Sequence, residues 1–160
     1  MMAVVMMVAG ALSATIASAA APDTVAHARV VAAPRVRTVT FGIRHRVFPD
    51  FAQLSEVRMK ESFQVGDSPY TARVVEFVPD FSMDLTSRKV VSLSSEPRNP
   101  AFRVVVTEKG APSDTAWAFL NMAPHFARRS MLAFQVLRIE FANRATITAR
   151  DTTMLLKARR

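Results

Sequence analysis

The stretch that decides the fold is AFRVVVTEKGAPSDTAWAFL, residues 101–120. In its first half, Phe102, Val104 and Val106 alternate with residues that point the other way, which is the period of two of a strand with one buried face. A turn over 110–113 then leads into a second strand, in which Trp117 and Phe119 share a face. The stretch therefore predicts an antiparallel β-hairpin.

The segments on either side repeat this pattern. A hairpin is predicted from strands at 56–65 and 70–78, joined by a Gly-Asp-Ser-Pro turn, and another from strands at 81–85 and 90–94. Residues 131–141 suit a short helix by their Met, Leu and Ala content, but their Phe, Val and Ile and their alternation favour the longest strand. Seven or eight strands at this spacing predict an all-β fold, either a single antiparallel β-sandwich or a small barrel.

The chain divides into four predicted regions. Residues 1–20 form a signal peptide or an uncleaved membrane anchor, because the first 21 residues are uncharged and end in Ala-Ser-Ala-Ala-Ala. Residues 21–54 form a basic arm, partly extended, residues 55–150 the β-rich domain, and residues 151–160 a basic tail. The predicted location is periplasmic or extracytoplasmic, with anchorage through residues 3–21 left open.

The basic arm has its own ambiguity. Between residues 26 and 50, Val, Arg and Thr alternate, as in RVRTVTF at 35–41. This composition suits an extended edge strand or a mobile basic arm.

Composition excludes several chemistries. The chain has no cysteine, which rules out disulfides, thiolate metal sites, c-type haem attachment and a thiol nucleophile. Its 21 basic and 13 acidic residues give a net charge of +8, which favours anionic partners such as lipid headgroups or acidic proteins. The arginines are spread along the chain rather than clustered, so nucleic acid is not a predicted partner.

No motif for catalysis stands out. The chain lacks a Gly-x-Ser-x-Gly elbow, and its three histidines lie far apart. Met122 and His125 are the best pair of soft-metal ligands, but two ligands favour a packed Met and a solvent-facing His instead. The prediction is a protein that is not an enzyme, with no metal site and no cofactor.

Two loops are candidate partner-binding sites, because exposed Arg and aromatic side chains supply much of the energy of interfaces. Their candidate residues are Arg98 and Asn99 in the first loop, and His125, Phe126, Arg128 and Arg129 in the second. The alternative is a cavity that holds a small apolar or haem-like ligand. Its predicted lining is Tyr70, Trp117, Phe119 and Phe134.

About half the chain, residues 63–141, resembles the extracytoplasmic portion of ResB-like cytochrome c biogenesis proteins. The resemblance rests on FQVG at 63–66, YTA at 70–72, EFVPDF at 76–81, SLSSEPRNPA at 92–101 and WAF at 117–119. It implies a β-rich module outside the membrane, of the kind attached in that family to transmembrane helices that help deliver haem to apocytochromes. No haem ligand carries over to this chain.

Together these features predict a non-enzymatic exported module. It would act as an assembly factor or accessory subunit of a membrane-bound redox, cytochrome or photosynthetic complex. The predicted partners are such a complex or a cytochrome, with an anionic membrane surface as a further possibility.

Overall fold

The alternating stretch at 101–120 forms the predicted hairpin in the computed structural model, which describes residues 32–127 and 129–150. Its strands are Ala101–Glu108 (β7) and Ala111–Phe119 (β8). The turn is tighter than predicted, because Lys109 and Gly110 have φ values of 49° and 84° and form it alone. Two positive φ values suit a two-residue turn whose twist matches that of the strands.

Eight further strands complete the described fold. They are Val36–His45 (β1), Ala52–Val57 (β2), Ser62–Gln64 (β3), Tyr70–Val78 (β4), Phe81–Met83 (β5), Val90–Ser92 (β6), Leu132–Phe141 (β9) and Ile147–Thr148 (β10). The first sheet has the strand order β10-β9-β1-β2, the second has the order β3-β4-β7-β8, and β5 pairs only with β6. All these strand pairs are antiparallel.

The all-β prediction is therefore confirmed. The described residues hold ten strands rather than seven or eight, since the sequence pattern did not reveal the shortest of them. The sheets are separate rather than joined into one closed barrel. In the described part of the chain, no helix is long and apolar enough to cross a membrane.

The two sheets meet at a cluster of aromatic rings around Phe41 of β1. Its ring centroid lies 6.4 Å from that of Phe63 and 5.9 Å from that of Phe102, both in the second sheet, and 6.2 Å from that of Phe134 in β9. Phe41 is fully buried. Phe102 and Phe134 meet the Phe41 ring edge-to-face and Phe63 stacks on it, and both arrangements add to the stabilisation that burial alone provides.

Strand β1 corrects the prediction for residues 26–50. It is neither an edge strand nor a mobile arm, because it lies between β2 and β9 in the middle of the first sheet. Val39, Phe41 and Ile43 are fully buried on its inner face. The intervening Arg and Thr made the segment seem polar, but they lie on the other face or at the strand ends. The core thus includes residues that the sequence analysis assigned to an arm before residue 55.

The strand predicted over 56–65 is also wrong in one respect, because the chain changes sheets within it. β2 ends at Val57, the backbone turns at Lys60 with a φ of 65°, and β3 begins at Ser62 in the second sheet. The following turn at 66–69 has its predicted place. Gly66 has a φ of 52°, and its N–H donates to Oε1 of Gln53 at 2.6 Å, which ties this turn to the first sheet.

Residues 131–141 form a strand as predicted, with a bulge that allows both halves to face the core. Thr40 pairs with Arg138 and the next residue, Phe41, pairs with Val136, which leaves Leu137 as the extra residue. Residues 1–20 and 151–160, which carry the leader and tail predictions, lie outside the described residues.

We expect the Phe41→Ala variant to lose about 3–5 kcal/mol of unfolding free energy, because removal of the ring would leave a cavity where the two sheets meet. Chemical denaturation followed by tryptophan fluorescence measures this loss. Phe48→Ala is the matched control, since Phe48 is 63% exposed and its truncation should change stability by no more than about 0.5 kcal/mol. Equal losses in the two variants would contradict the central role of Phe41.

Candidate functional site

The hairpin formed by β5 and β6 packs on the outer face of the second sheet. Trp117 and Phe119 share a face of β8, as predicted, but this face is opposite to the one on which Ala118 lies in the core. The Phe81 ring of β5 covers it, with centroids 5.0 Å from Trp117 and 4.9 Å from Phe119. These three rings form the aromatic base of the hairpin.

Hydrogen bonds around Asp80 fasten the hairpin to the following loop. Asp80 is buried, and its Oδ2 accepts a 2.9 Å hydrogen bond from the Ser94 hydroxyl. The backbone N–H of Leu93 donates to the Asp80 carbonyl, also at 2.9 Å. The Asn99 side-chain amide donates to the Phe81 carbonyl at 2.9 Å, and the Phe81 N–H donates to the Asn99 carbonyl. The hairpin and loop therefore form one braced unit.

Asp84 organises the turn at the far end of the hairpin. Its Oδ1 accepts hydrogen bonds from the backbone N–H groups of Thr86 at 2.8 Å and Ser87 at 3.2 Å. Its own N–H donates to the Lys89 carbonyl at 3.0 Å. The Thr86 N–H, followed by the hydroxyl and N–H of Ser87, lowers the pKa of the Asp84 carboxyl below its usual value of 3.8.

The hairpin exposes four large apolar side chains to solvent. They are Met83 at 45%, Leu85 at 88%, Val91 at 40% and Leu93 at 70% exposure, and we call them the hairpin surface. Arg88 and Lys89 are exposed in the same turn. Leu85 lies in the turn and Leu93 just after β6, and the register puts Met83 and Val91 on opposite faces of the hairpin. Large apolar side chains exposed on one short element, with charged neighbours, make that element a candidate interaction site.

The sequence analysis missed the hairpin surface. It identified the two strands and the polar turn correctly, but the alternation of residues does not reveal which apolar side chains lack a cover. The available signal was Leu85 and Leu93, each set among polar residues in DLTS at 84–87 and SLSS at 92–95.

The structure brings two of the predicted partner-binding residues to the aromatic base. Asn99 holds Phe81 through the two hydrogen bonds described above, one from its side-chain amide and one to its carbonyl, and the His125 ring stacks on Phe119 with centroids 5.9 Å apart. Arg98 is exposed and lines an open groove of about 440 Å³ together with Arg144.

The other predicted partner-binding residues lie elsewhere. The guanidinium of Arg46 lies 5.3 Å from the ring centroid of Phe126, in a cation–π contact. Arg129 is exposed and lines a separate cavity at one end of the two sheets. Arg128 lies outside the described residues.

The cavity predicted from Tyr70, Trp117, Phe119 and Phe134 does not form. Trp117 and Phe119 face outward beneath Phe81, whereas Phe134 faces inward against Phe41. Tyr70 lies at the end of the core, with its ring 6.3 Å from that of His45. The prediction failed because a period of two separates the two faces of a strand but does not say which one is inside.

The residues proposed for a soft metal also lie apart from any ligand cluster. Met122 is half exposed, and His125 is engaged with Phe119. Within residues 32–127 and 129–150, no three or more His, Asp or Glu side chains come together in a group that could hold a metal ion.

No protein-family model, curated protein or solved structure matches this chain. The resemblance to ResB-like proteins therefore stays a prediction from the sequence.

We expect the Asp84 carboxyl to titrate below 3.8, because protonation weakens the hydrogen bonds that it accepts in the turn. Because the pKa is lowered, the ionised carboxylate stabilises the turn fully at pH values above the carboxyl's unfolded pKa. This stabilisation is lost as the pH falls through the folded pKa. NMR should show the Thr86 and Ser87 amide signals shifting with the Asp84 carboxyl. Asp84→Asn should abolish that pH response, and amide signals that titrate unchanged in this variant would contradict the assignment.

Proposed function

We propose that this protein is a non-enzymatic exported module that docks on a membrane-bound redox or cytochrome complex, photosynthetic complexes included, as an assembly factor or accessory subunit. The observation that supports this proposal best is the hairpin surface, in which four large apolar side chains face solvent on a braced hairpin. The two sheets, which we take to form a β-sandwich, serve as the rigid support of that hairpin.

The bracing of the hairpin favours a docking role. An isolated two-stranded hairpin is marginally stable in water, yet this one is held by the aromatic base and by the Asp80 hydrogen bonds. A surface that is already ordered loses less conformational freedom when it binds, so more of its contact energy appears as affinity. Leu85 and Leu93, the two most exposed of the apolar side chains, are the anchors that we assign to the interface.

Charge favours an anionic partner. Arg88 and Lys89 stand beside Leu85 in the turn, whereas the Asp84 carboxylate is occupied by backbone N–H groups. The net charge of the whole chain, these two residues included, is +8. Positive side chains beside an exposed leucine suit an acidic surface on a cytochrome or membrane complex, and the same charges attract the protein to an anionic membrane surface.

The leader supports the compartment in this proposal. Residues 1–20 have the uncharged apolar run and small terminal residues of a signal peptide, so we place the β-rich body in the periplasm or another extracytoplasmic space. If the leader is retained, residues 3–21 hold the body beside its partner complex.

Binding of a haem-like ligand between the sheets has less support. Phe41 and its ring partners fill the space where the sheets meet, and the residues predicted to line a ligand cavity lie on different faces. We therefore favour docking over ligand storage.

A pull-down of the tagged full chain from its own membranes in mild detergent tests the proposal. We expect a cytochrome-containing or other redox complex to co-purify with the wild type. The Leu85→Ser/Leu93→Ser variant should recover at least about tenfold less of it, because two anchors are lost. Mass spectrometry of the amino terminus shows whether residues 3–21 remain.

The matched control is Val47→Ser/Phe48→Ser, which removes two similarly exposed apolar side chains from the loop after β1. It should recover the partner as the wild type does. Loss of the partner in both variants, or in neither, would contradict docking through the hairpin. Recovery of lipid alone, with no protein partner, would overturn the proposed function.

A further inference from the structure

A half-open cavity of about 210 Å³ lies at one end of the two sheets, and the proposed docking does not use it. One wall comes from the ends of the strands of the second sheet, and the other from the segment that leads into β9. The polar residues on the first wall are Tyr70, Glu108, Ser113 and Asp114, and the second wall includes Arg129, Ser130, Met131 and Leu132.

Strand register turns two carboxylates towards this cavity. Asp114 pairs with Val106, a buried core residue, and directly paired residues share a face of the sheet. Glu108 follows Val106 by two positions and pairs with Tyr70, so both also lie on the inner face. A bulge at Ser113 sets this register, because Thr107 pairs with Pro112 rather than with Ser113.

Asp114 has an acceptor atom that is not satisfied. Its Oδ2 is buried and accepts no hydrogen bond. The two serine hydroxyls of the cavity are engaged elsewhere, since Ser113 donates to the Val106 carbonyl at 3.3 Å and Ser130 donates to the Leu132 carbonyl at 2.6 Å. Buried carboxylate oxygens are normally hydrogen-bonded, because leaving one without a donor is costly. Asp114 is among the residues that line the cavity, so a cation held there lies next to this carboxylate.

The remaining walls define what kind of donor fits. Val106, Met131 and Leu132 offer apolar contact for an alkyl chain, and the Tyr70 ring can face a cation. Two carboxylates against the single guanidinium of Arg129 favour a positive ligand. The volume lies below the roughly 300 Å³ at which pockets for drug-sized ligands begin, so the cavity takes one group of side-chain size.

We propose that this cavity binds a primary ammonium or guanidinium group carried on a short alkyl chain, with Asp114 as its main acceptor and Glu108 as a second one at the mouth. The group belongs either to a lysine or arginine side chain of another protein or to a small free amine. This site is independent of the hairpin surface, which lies on a different element.

Titration of the isotopically labelled full chain with butylammonium, followed by NMR, tests the proposal. We expect saturable shifts of the amide signals of Ser113, Asp114 and Ser130. Tetramethylammonium has the same charge but no N–H donor, and butyrate has the opposite charge, so neither should produce these shifts. Shifts that never saturate with butylammonium, or that appear equally with tetramethylammonium, would overturn the site.

Variants assign the acceptor and include a check on folding. Asp114→Asn should weaken butylammonium binding by at least about tenfold, because a charge-assisted hydrogen bond is lost. The same variant should raise Tm, since a neutral amide costs less to bury without a partner than an ionised carboxylate does. Glu76→Gln is the control, because Glu76 pairs with Arg103 at 2.9 Å on the outer face. Unchanged binding in Asp114→Asn would refute the assignment.

Two further measurements determine the charge of the ligand and show whether it comes from a protein or from a free amine. Arg129→Ala should tighten butylammonium binding by removing a like charge, whereas tighter butyrate binding in the wild type would refute a cation site. Nα-acetyl-lysine amide, whose backbone is blocked at both ends and whose ε-ammonium group is free, represents a protein side chain. Tighter binding of this compound than of butylammonium supports a protein source, and the reverse order supports a free amine.

Discussion

The contact of Phe41 with rings from both sheets is the interaction on which the described structure depends. Phe41 lies in the middle strand of the first sheet and touches Phe63 and Phe102 of the second. Because the ring is fully buried and surrounded by other rings, the spacing of the sheets follows from the size of these side chains. The outer face of the second sheet, and everything attached to it, is positioned by this inner packing.

The hairpin depends on a second, smaller aromatic cluster outside the core. Phe102 and Phe119 lie on opposite faces of the same sheet, so one sheet supports the core on one side and the aromatic base on the other. Phe81 covers that base, and Asp80 and Asn99 fasten the backbone around it. The exposed leucines are thus carried by a fixed element, which is the basis of the docking that we propose.

The alternation of apolar and polar residues determined how much of this fold could be predicted from the sequence. The period of two at 101–120 identified the central hairpin, and the Gly-Asp-Ser-Pro turn at 66–69 was placed correctly, because both are local properties of the chain. The arginines around Val39 and Phe41 concealed a central strand, since their side chains lie on the opposite face or at its ends. Neither the lack of a cover over Leu85 nor the missing donor for Asp114 could be read locally, because both depend on residues distant in sequence.

Photo-crosslinking in the native membranes tests the central claim of docking through the hairpin most directly. A photoreactive amino acid at position 85 should give a discrete crosslink to a subunit of a membrane-bound redox or cytochrome complex, and the same amino acid at position 48 should give none. A crosslink to the same subunit from position 48, or no protein crosslink from position 85 in a correctly folded variant, would contradict the account.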